Sequence, residues 1–92
     1  MNFRRLRQIP IEDVCAMLGI ALKRVGFAYR GQCPICQHPS KRAFTVTPLP
    51  TNRWWCFGRC RDGGDGLELV ARVRQLTYVQ AAQLLQEQLG PP

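Results

Sequence analysis

The chain has 92 residues and is 46% hydrophobic, which suits one small domain with a marginal core and excludes a disordered tail. Its apolar runs are far shorter than the ~20 residues of a membrane span, and no apolar stretch of a signal peptide follows the N-terminal arginines, so we expect a cytoplasmic protein. Thirteen Lys and Arg against six Asp and Glu give a net charge of +7, which favours a polyanionic partner, nucleic acid first, over simple solubility.

The N-terminal part of the chain predicts an arm, a helix and a hairpin, in that order. Residues 1–8 contain three arginines and are expected to form a loose basic arm. A helix is predicted from Pro10, whose missing N–H costs nothing in the first turn, to Gly19, which favours a helix end. Residues 20–25 and 27–32 alternate loosely as strands do, with a glycine between them, so we expect a hairpin that leads into the first cysteine pair.

The C-terminal part predicts a second hairpin and two helices. Residues 44–47 and 53–57 are the strands, joined by a turn with two prolines. Asp65 and Thr77 are each followed three positions later by Glu or Gln, the capping-box pattern that begins a helix. The apolar positions expected to face the core are Leu67, Leu69, Val70 and Val73 in the first helix and Val79, Ala82, Leu85 and Leu89 in the second.

Four of the five cysteines form two close pairs. Two residues separate Cys33 from Cys36, three separate Cys56 from Cys60, and nineteen lie between the pairs. This comes close to the spacing of zinc ribbons, in which each short turn aims two thiolates at one tetrahedral ion. The odd number of cysteines and the missing secretory signal argue against a disulfide framework. We therefore predict one structural Zn²⁺, which would also stabilise so small a core.

These cysteines and their neighbours allow other roles. A redox pair or coincidental burial of cysteines is disfavoured by two matched pairs within 28 residues. His38 could replace a thiolate, although Cys60 completes the set without it. Cys15 lies on the apolar face of the first predicted helix and is interpreted as a small buried hydrophobe. Gly58 is expected to give the second cysteine turn its backbone freedom.

The predicted fold class is α+β, a small zinc-ribbon-type antiparallel sheet clamped by zinc at one end and flanked by helices. We expect a single domain over 1–92, comprising the arm, a zinc core over 27–66 and C-terminal helices over 65–90. A catalytic zinc keeps an open position for water, and four thiolates close it. The chain has one His, no phosphate-binding loop and no carboxylate cluster for Mg²⁺, so we predict no catalytic residue and no enzymatic activity by itself.

Four short segments occur in a recognisable order. They are residues 33–36 (Cys-Pro-Ile-Cys), 44–46 (Phe-Thr-Val), 55–58 (Trp-Cys-Phe-Gly) and 63–66 (Gly-Gly-Asp-Gly). Together with the apolar helix that follows, they resemble the zinc-binding domain of bacterial and phage DNA primases, the Cys-His-Cys-Cys zinc-finger family. The resemblance covers about residues 9–90.

The resemblance implies a role in DNA replication. In the family this domain binds single-stranded template DNA and helps to start an RNA primer, while a separate domain with acidic Mg²⁺ ligands polymerises. The expected partners are therefore single-stranded DNA and a primase polymerase domain, a helicase or both, at the nucleoid and away from membranes. Three departures from the family, at Cys36, Arg59 and residues 41–43, point to a phage, plasmid or other mobile-element protein and leave the template preference open.

Aromatic residues around the second cysteine pair divide between core and surface. Neighbouring strand residues point to opposite faces, so Trp54 shares a face with the following cysteine and Trp55 takes the other. The resemblance places Trp54 in the core. Trp55 is then a candidate for stacking on a base, and packing under the 48–52 turn is its alternative. Phe44 and Phe57 are expected in the core.

Basic residues surround these aromatics, and single strands bind to positive grooves with aromatic side chains on which bases stack. Arg30 is a weaker phosphate candidate, and Arg72 and Arg74 are interpreted as a solvated helix face. The predicted nucleic-acid-binding residues are Lys41, Arg42, Arg53, Trp55, Arg59 and Arg61.

Three functions are compatible with these observations. The leading hypothesis is a primase-type zinc domain that engages single-stranded DNA and supports primer synthesis. The alternative is a zinc-ribbon module whose helices recruit a helicase or polymerase, with minor DNA contact. A transcription regulator reading duplex DNA ranks last, because the helix from Leu67 offers only Arg72, Arg74 and Gln75, late and on mixed faces, in place of the polar and basic lining of a recognition helix.

Overall fold

The structure is a computed structural model that describes residues 2–90, so Met1, Pro91 and Pro92 of the predicted domain lie outside the described residues. Within these residues, five strands form one antiparallel sheet whose spatial order follows the chain, from β1 to β5. The predicted α+β class, an antiparallel sheet flanked by helices, is confirmed. The elements in chain order are α1 (Phe3–Arg7), α2 (Ile11–Met17), β1 (Lys23–Val25), β2 (Ala28–Gly31), β3 (Phe44–Thr47), β4 (Arg53–Cys56), β5 (Gly63–Gly64), α3 (Gly66–Arg74) and α4 (Tyr78–Leu89).

One face of the sheet is covered by helices. Alternation along β3 and β4 directs Phe44, Trp54 and Cys56 to this face, where all three are buried. They pack in one cluster with Ile11 of α2 and Leu69 of α3. The predictions that Phe44 and Trp54 belong to the core are thus confirmed, and the residues between them on each strand face away from the helices.

A second buried cluster lies among the four helices. Among the described residues, no helix is long and apolar enough to cross a membrane, the longest being α4 with 12 residues. The helices instead bury short apolar stripes against one another. The members of this helical cluster are Leu6, Val14, Leu67, Val70, Ala81, Ala82 and Leu85.

Residues 3–7 form a helix, and the prediction of a loose arm there was wrong. Leu6 is 1% exposed within the helical cluster. The Arg7 guanidinium donates to the Tyr78 hydroxyl and lies 3.4 Å from a carboxylate oxygen of Asp65. A pattern dominated by three arginines concealed this, because one buried leucine is too weak a local signal for a helix of five residues.

Two further predictions in the helices and hairpin differ from the structure. Val79 is 53% exposed, and Ala81 is buried in its place, because the small residues Ala81 and Ala82 allow α4 to pack on α3. The strand predicted over 20–25 shortens to β1, since Ile20 and Leu22 leave the strand path to pack against the sheet cluster.

Arg72 is more than part of a solvated helix face. Its guanidinium lies 5.7 Å from the ring centroid of Trp54 and pairs with the Asp62 carboxylate. The Trp54 indole N–H donates to the Asp65 carbonyl oxygen at 2.9 Å. These contacts join α3 to β4 beside the second cysteine pair.

Candidate metal centre and open sheet face

The two cysteine pairs lie in turns of similar construction at the same end of the sheet. The Gln37 N–H donates to the Cys33 carbonyl oxygen at 3.0 Å, closing the first turn. Each pair is followed at once by a left-handed residue, Gln37 with φ 52° and Arg61 with φ 50°. Both turns thus end with a left-handed residue, although the second pair has one more residue between its cysteines.

Gly58 has a different role from the one predicted. It is not among the described residues with positive φ, so the second turn takes its left-handed step at Arg61. A Cβ added to Gly58 would instead lie 2.9 Å from the Cβ of His38. Glycine is required there because the two turns approach each other closely.

The four sulfur atoms of Cys33, Cys36, Cys56 and Cys60 converge, each within 4.8 Å of the others. The Sγ atoms of Cys33 and Cys60 are 3.8 Å apart, and those of Cys36 and Cys56 are 3.7 Å apart. Disulfide bonding needs about 2.05 Å, and all four thiols are free. Thiolates at ~2.3 Å from a tetrahedral zinc ion are separated by about 3.8 Å, so the arrangement fits one Zn²⁺.

The surroundings of the cluster shift the pKa values of its thiols in opposite directions. Cys33 and Cys56 are fully buried, and burial raises the pKa of the Cys33 thiol. Burial also opposes ionisation of Cys36, but backbone N–H groups of His38, Arg59 and Cys60 donate to its sulfur and bring the pKa down to about 6. Burial, followed by hydrogen bonds with the neighbouring thiols, raises the pKa of Cys60 to about 12, so the surroundings favour the thiolate at Cys36 and oppose it at Cys33 and Cys60.

The remaining histidine and cysteine lie outside the cluster. The Nδ1 atom of His38 accepts the Ser40 N–H at 3.2 Å, as a turn residue does. Cys15 is 0% exposed in the sheet cluster, and burial, followed by the charge of Glu12, raises the pKa of its thiol to about 12. Within residues 2–90 the metal-binding group therefore consists of sulfur ligands alone.

An aromatic pair stands on the sheet face opposite the helices, which we call the open face. Trp55 is 41% exposed and Phe57 is 55% exposed, with ring centroids 6.2 Å apart in an edge-on contact. The prediction that Phe57 lies in the core was wrong. The Cys56 sulfur points into the group of four cysteine sulfurs, so the residues on both sides of Cys56 point to the opposite face. Arg53 lies on the same face of β4.

A row of side chains crosses the open face beside this pair. Strand register aligns Lys23 with Arg30, Arg30 with Thr45, and Thr45 with Trp55. Register partners share a face, so the weaker candidate Arg30 lies two strands from Trp55, about 10 Å away. The Thr45 hydroxyl between them is buried without a partner among the described residues. Lys23 was not predicted, because only the hairpin register reveals its face.

The other predicted binding residues lie in two places near the sheet. Lys41 and Arg42 are exposed in the loop before β3, where they help to line a groove beside the β1–β2 hairpin. Arg59 and Arg61 belong to the second cysteine turn, and the Arg61 Nε donates to the Gly58 carbonyl oxygen at 3.2 Å. The predicted set is therefore spread over the open face, the loop before β3 and the second cysteine turn.

Residues 4–91 match the CHC2 zinc finger family. The chain is 35% identical over 85 residues to the DNA primase of Aquifex aeolicus (strain VF5), covering 91% of this chain and 16% of that protein. It is 36% identical over 72 residues to the DNA primase of Borreliella burgdorferi, covering 77% of this chain and 13% of that protein. The chain thus spans about one sixth or less of these relatives.

A solved structure shows the same fold. The crystal structure of the Aquifex aeolicus primase, comprising its zinc binding and RNA polymerase domains, superposes with a TM-score of 0.82 at 34% identity. The superposition covers 98% of this chain and 22% of that chain. The likeness therefore extends over nearly all of this chain and over a small part of the solved one.

Proposed function

This chain belongs to the CHC2 zinc finger family of DNA primases, and we propose that it binds single-stranded template DNA and supports primer synthesis by a separate polymerase domain or protein. Membership of this family fits a role of the chain in primase-related DNA replication. Binding of single-stranded DNA is supported by the open face, where an exposed aromatic pair, Trp55 and Phe57, lies beside Arg53. Bases of any sequence can stack on such a platform while cations hold the phosphates.

The proposed zinc ion is a structural staple. Zn²⁺ bound by Cys33, Cys36, Cys56 and Cys60 would cross-link the ends of β2 and β4, and its closed coordination leaves no position for water. Because Trp55 is adjacent to a ligand on β4, the metal holds the stacking side chain on a rigid strand. A rigid site loses less conformational entropy when a flexible strand binds.

Titration of a fluorescent oligonucleotide tests strand binding. Stacking on one aromatic side chain is worth roughly 1–3 kcal/mol, so Trp55→Ala should weaken binding by about 5- to 150-fold. Arg53→Ala and Arg59→Ala should weaken it for all sequences and reduce the slope of log K against log salt by roughly 0.7 each. Arg74→Ala, at the end of α3, is the charge-matched control and should change little.

Two outcomes would move or remove the proposed site. If Arg74→Ala costs as much as Arg59→Ala, the helical face binds the strand instead. If none of the four variants matters and the wild type binds only at very low salt, strand binding is not the function. Zinc content and melting temperature should be unchanged in all four proteins.

The alternative function, recruitment of a helicase or polymerase, is supported by a groove of about 610 Å³ on the helical side. Met17, Leu76 and Leu84 contribute apolar lining. A packed protein interface should be less sensitive to salt than phosphate contacts. Salt-resistant association with a primase polymerase domain, lost in Leu84→Glu and kept in Trp55→Ala, would favour this alternative.

We assign polymerisation to another domain. The superposition covers 22% of a primase chain that has an RNA polymerase domain, so the likeness does not extend to that whole chain. Incubation of the purified chain with template, nucleotides and Mg²⁺ should therefore give no primer. Primer synthesis by the chain alone would contradict the assignment.

A further inference from the structure

We propose that the groove between the β1–β2 hairpin and the loop before β3 binds the sugar–phosphate backbone of the same single strand, as a second contact next to Trp55. We call it the hairpin groove. The inference rests on the proposed function and extends the binding surface across the open face to the first strand of the sheet. Four cations line this groove: Lys23, Arg30, Lys41 and Arg42.

Charge is the first argument for a polyanion. None of the nine residues that line the groove is acidic. The ion pairs among residues 2–90 lie elsewhere, at Arg7 with Asp65 and at Arg72 with Asp62. Four cations around one groove without a carboxylate repel one another, and a phosphate backbone is the ligand that relieves this repulsion.

Shape is the second argument. The groove has a volume of about 520 Å³, and its apolar lining includes Leu22 and Val25, the latter 52% exposed. An apolar surface with cations around it suits a nucleotide unit, whose sugar and base can lie on the lining while the phosphates reach the charged groups. By contrast, the neighbouring Arg24 is occupied, since it stacks on Tyr29 and donates to the Gly26 carbonyl oxygen.

Continuity with the stacking platform identifies the occupant as the strand rather than a free nucleotide. Arg30 lines the groove and also lies on the row that leads through Thr45 to Trp55. Neighbouring β-strands are spaced about 4.8 Å apart, so Lys23 on β1, three strands away, is about 14 Å from Trp55. One DNA strand that crosses the sheet would therefore contact both Trp55 and the hairpin groove.

The test compares groove variants with a matched control, using dye-labelled oligothymidine over a range of salt concentrations. Lys23→Ala and Arg30→Ala should each reduce the salt slope by roughly 0.7, which is about a fivefold loss of affinity at roughly 0.1 M salt. Arg5→Ala removes the same charge from the exposed side of α1 and should leave affinity and slope unchanged. Trp55→Ala should lower affinity without changing the slope.

Two further ligands distinguish the sources of phosphate. A dinucleotide is too short to reach both contacts, so Trp55→Ala should weaken its binding while Lys23→Ala should not. Thymidine triphosphate should compete poorly with the strand. If the triphosphate binds as tightly as the strand and Lys23→Ala abolishes this binding, the groove is a nucleotide site and the proposal is wrong.

The remaining outcomes separate the groove from the proposed function. If Trp55→Ala weakens strand binding while Lys23→Ala and Arg30→Ala behave like Arg5→Ala, the hairpin groove is refuted and strand binding at the open face stands. If the wild type binds no single strand at moderate salt, the proposed function fails and the groove fails with it.

Discussion

At the scale of single residues, Asn52 explains how α1 and the start of α2 are held in place. Its side chain is 6% exposed, and its φ of 55° is one that asparagine tolerates better than most residues. Its Oδ1 accepts the Ile11 N–H at 2.8 Å, and its Nδ2 donates to the carbonyl oxygens of Arg7 and Ile9 at 3.0 Å each. One amide therefore satisfies three backbone groups between α1 and α2.

Replacement of Asn52 should destabilise the whole domain. Asn52→Ala leaves these backbone groups without partners and makes the left-handed backbone less favourable, so the free energy of unfolding should fall by about 2–4 kcal/mol. Thermal unfolding followed by circular dichroism measures the loss. Thr51→Ala at the exposed neighbouring position should stay within about 0.5 kcal/mol of wild type. Asn52→Gly keeps the backbone freedom without the amide, and wild-type stability there would refute the hydrogen-bond explanation.

Cys15 should be chemically inert in the folded protein. Its thiol, with a pKa raised by burial from 9.0 to about 12, stays protonated at about pH 8, where a free thiol is already partly ionised. Between pH 9 and 12 the unfolded thiol ionises first, so this contribution to stability is full below about pH 9 and is lost as pH rises. Mass spectrometry after iodoacetamide treatment should find Cys15 unlabelled at about pH 8, and Cys15→Ala should still hold one zinc ion. Fast labelling of Cys15 in the folded protein would contradict this.

At the scale of elements, β5 shows that two glycines can form a strand when the space demands it. A Cβ on Gly63 would overlap the carbonyl oxygen of Trp54 and lie 2.7 Å from the Trp55 ring. Gly64 pairs with Trp54 and lies against the Glu68 carboxylate. The edge strand thus fits closely against β4, on which the proposed stacking residue stands.

Gly63→Ala should therefore cost about 2 kcal/mol or more, because the overlap is with backbone atoms that cannot move aside. Gly19→Ala is the matched control. Gly19 has a φ of 74° with open space around it, so only the left-handed backbone is penalised, by about 1–2 kcal/mol. Chemical denaturation of both variants gives the comparison. A smaller loss at Gly63 than at Gly19 would mean that β5 contributes little to the sheet.

At the scale of the whole molecule, the structure has two small buried clusters and a candidate metal centre. The radius of gyration is 12.3 Å, as expected for a compact chain of this length, where scaling gives about 12 Å. Cys33 and Cys56 are themselves members of the sheet cluster. Without a bound metal, the sulfur atoms of Cys33 and Cys56 would lie inside the sheet cluster with no shared ion to hold them together.

Zinc removal should unfold the domain. Structural zinc contributes about 10–16 kcal/mol of binding free energy at pH 7, which exceeds the roughly 5–15 kcal/mol of net stability of most domains. Elemental analysis should find one zinc per chain, and a chelator should abolish the cooperative thermal transition. Cys33→Ser should behave like the chelated protein, and Cys15→Ala should not. A metal-free protein with its full melting temperature would rule out the structural role.

Local signals were sufficient for the parts of the fold that depend on neighbours in the chain. The alternation of residues 44–47 predicted β3 with the bounds that the structure shows. Asp65 and Thr77 were predicted as caps, and each side chain accepts the N–H three residues later. The paired spacing of the cysteines likewise predicted their convergence, because each turn positions its own two thiols. These features need no knowledge of distant residues.

Tertiary structure alone decided which residues share the open face and how α1 is held. Arg30 and Lys23 join Trp55 through strand register, which a sequence read without its pairing does not specify. Phe57 is exposed because the adjacent Cys56 faces the group of four cysteine sulfurs. The helix α1 is held by Asn52, more than 40 residues away, which donates a hydrogen bond to its backbone. The sequence by itself thus determined the convergence of the four cysteines and the main elements, which arise from local spacing. The candidate surface for single-stranded DNA depends on contacts between residues far apart in the chain, and only the folded sheet brings them together.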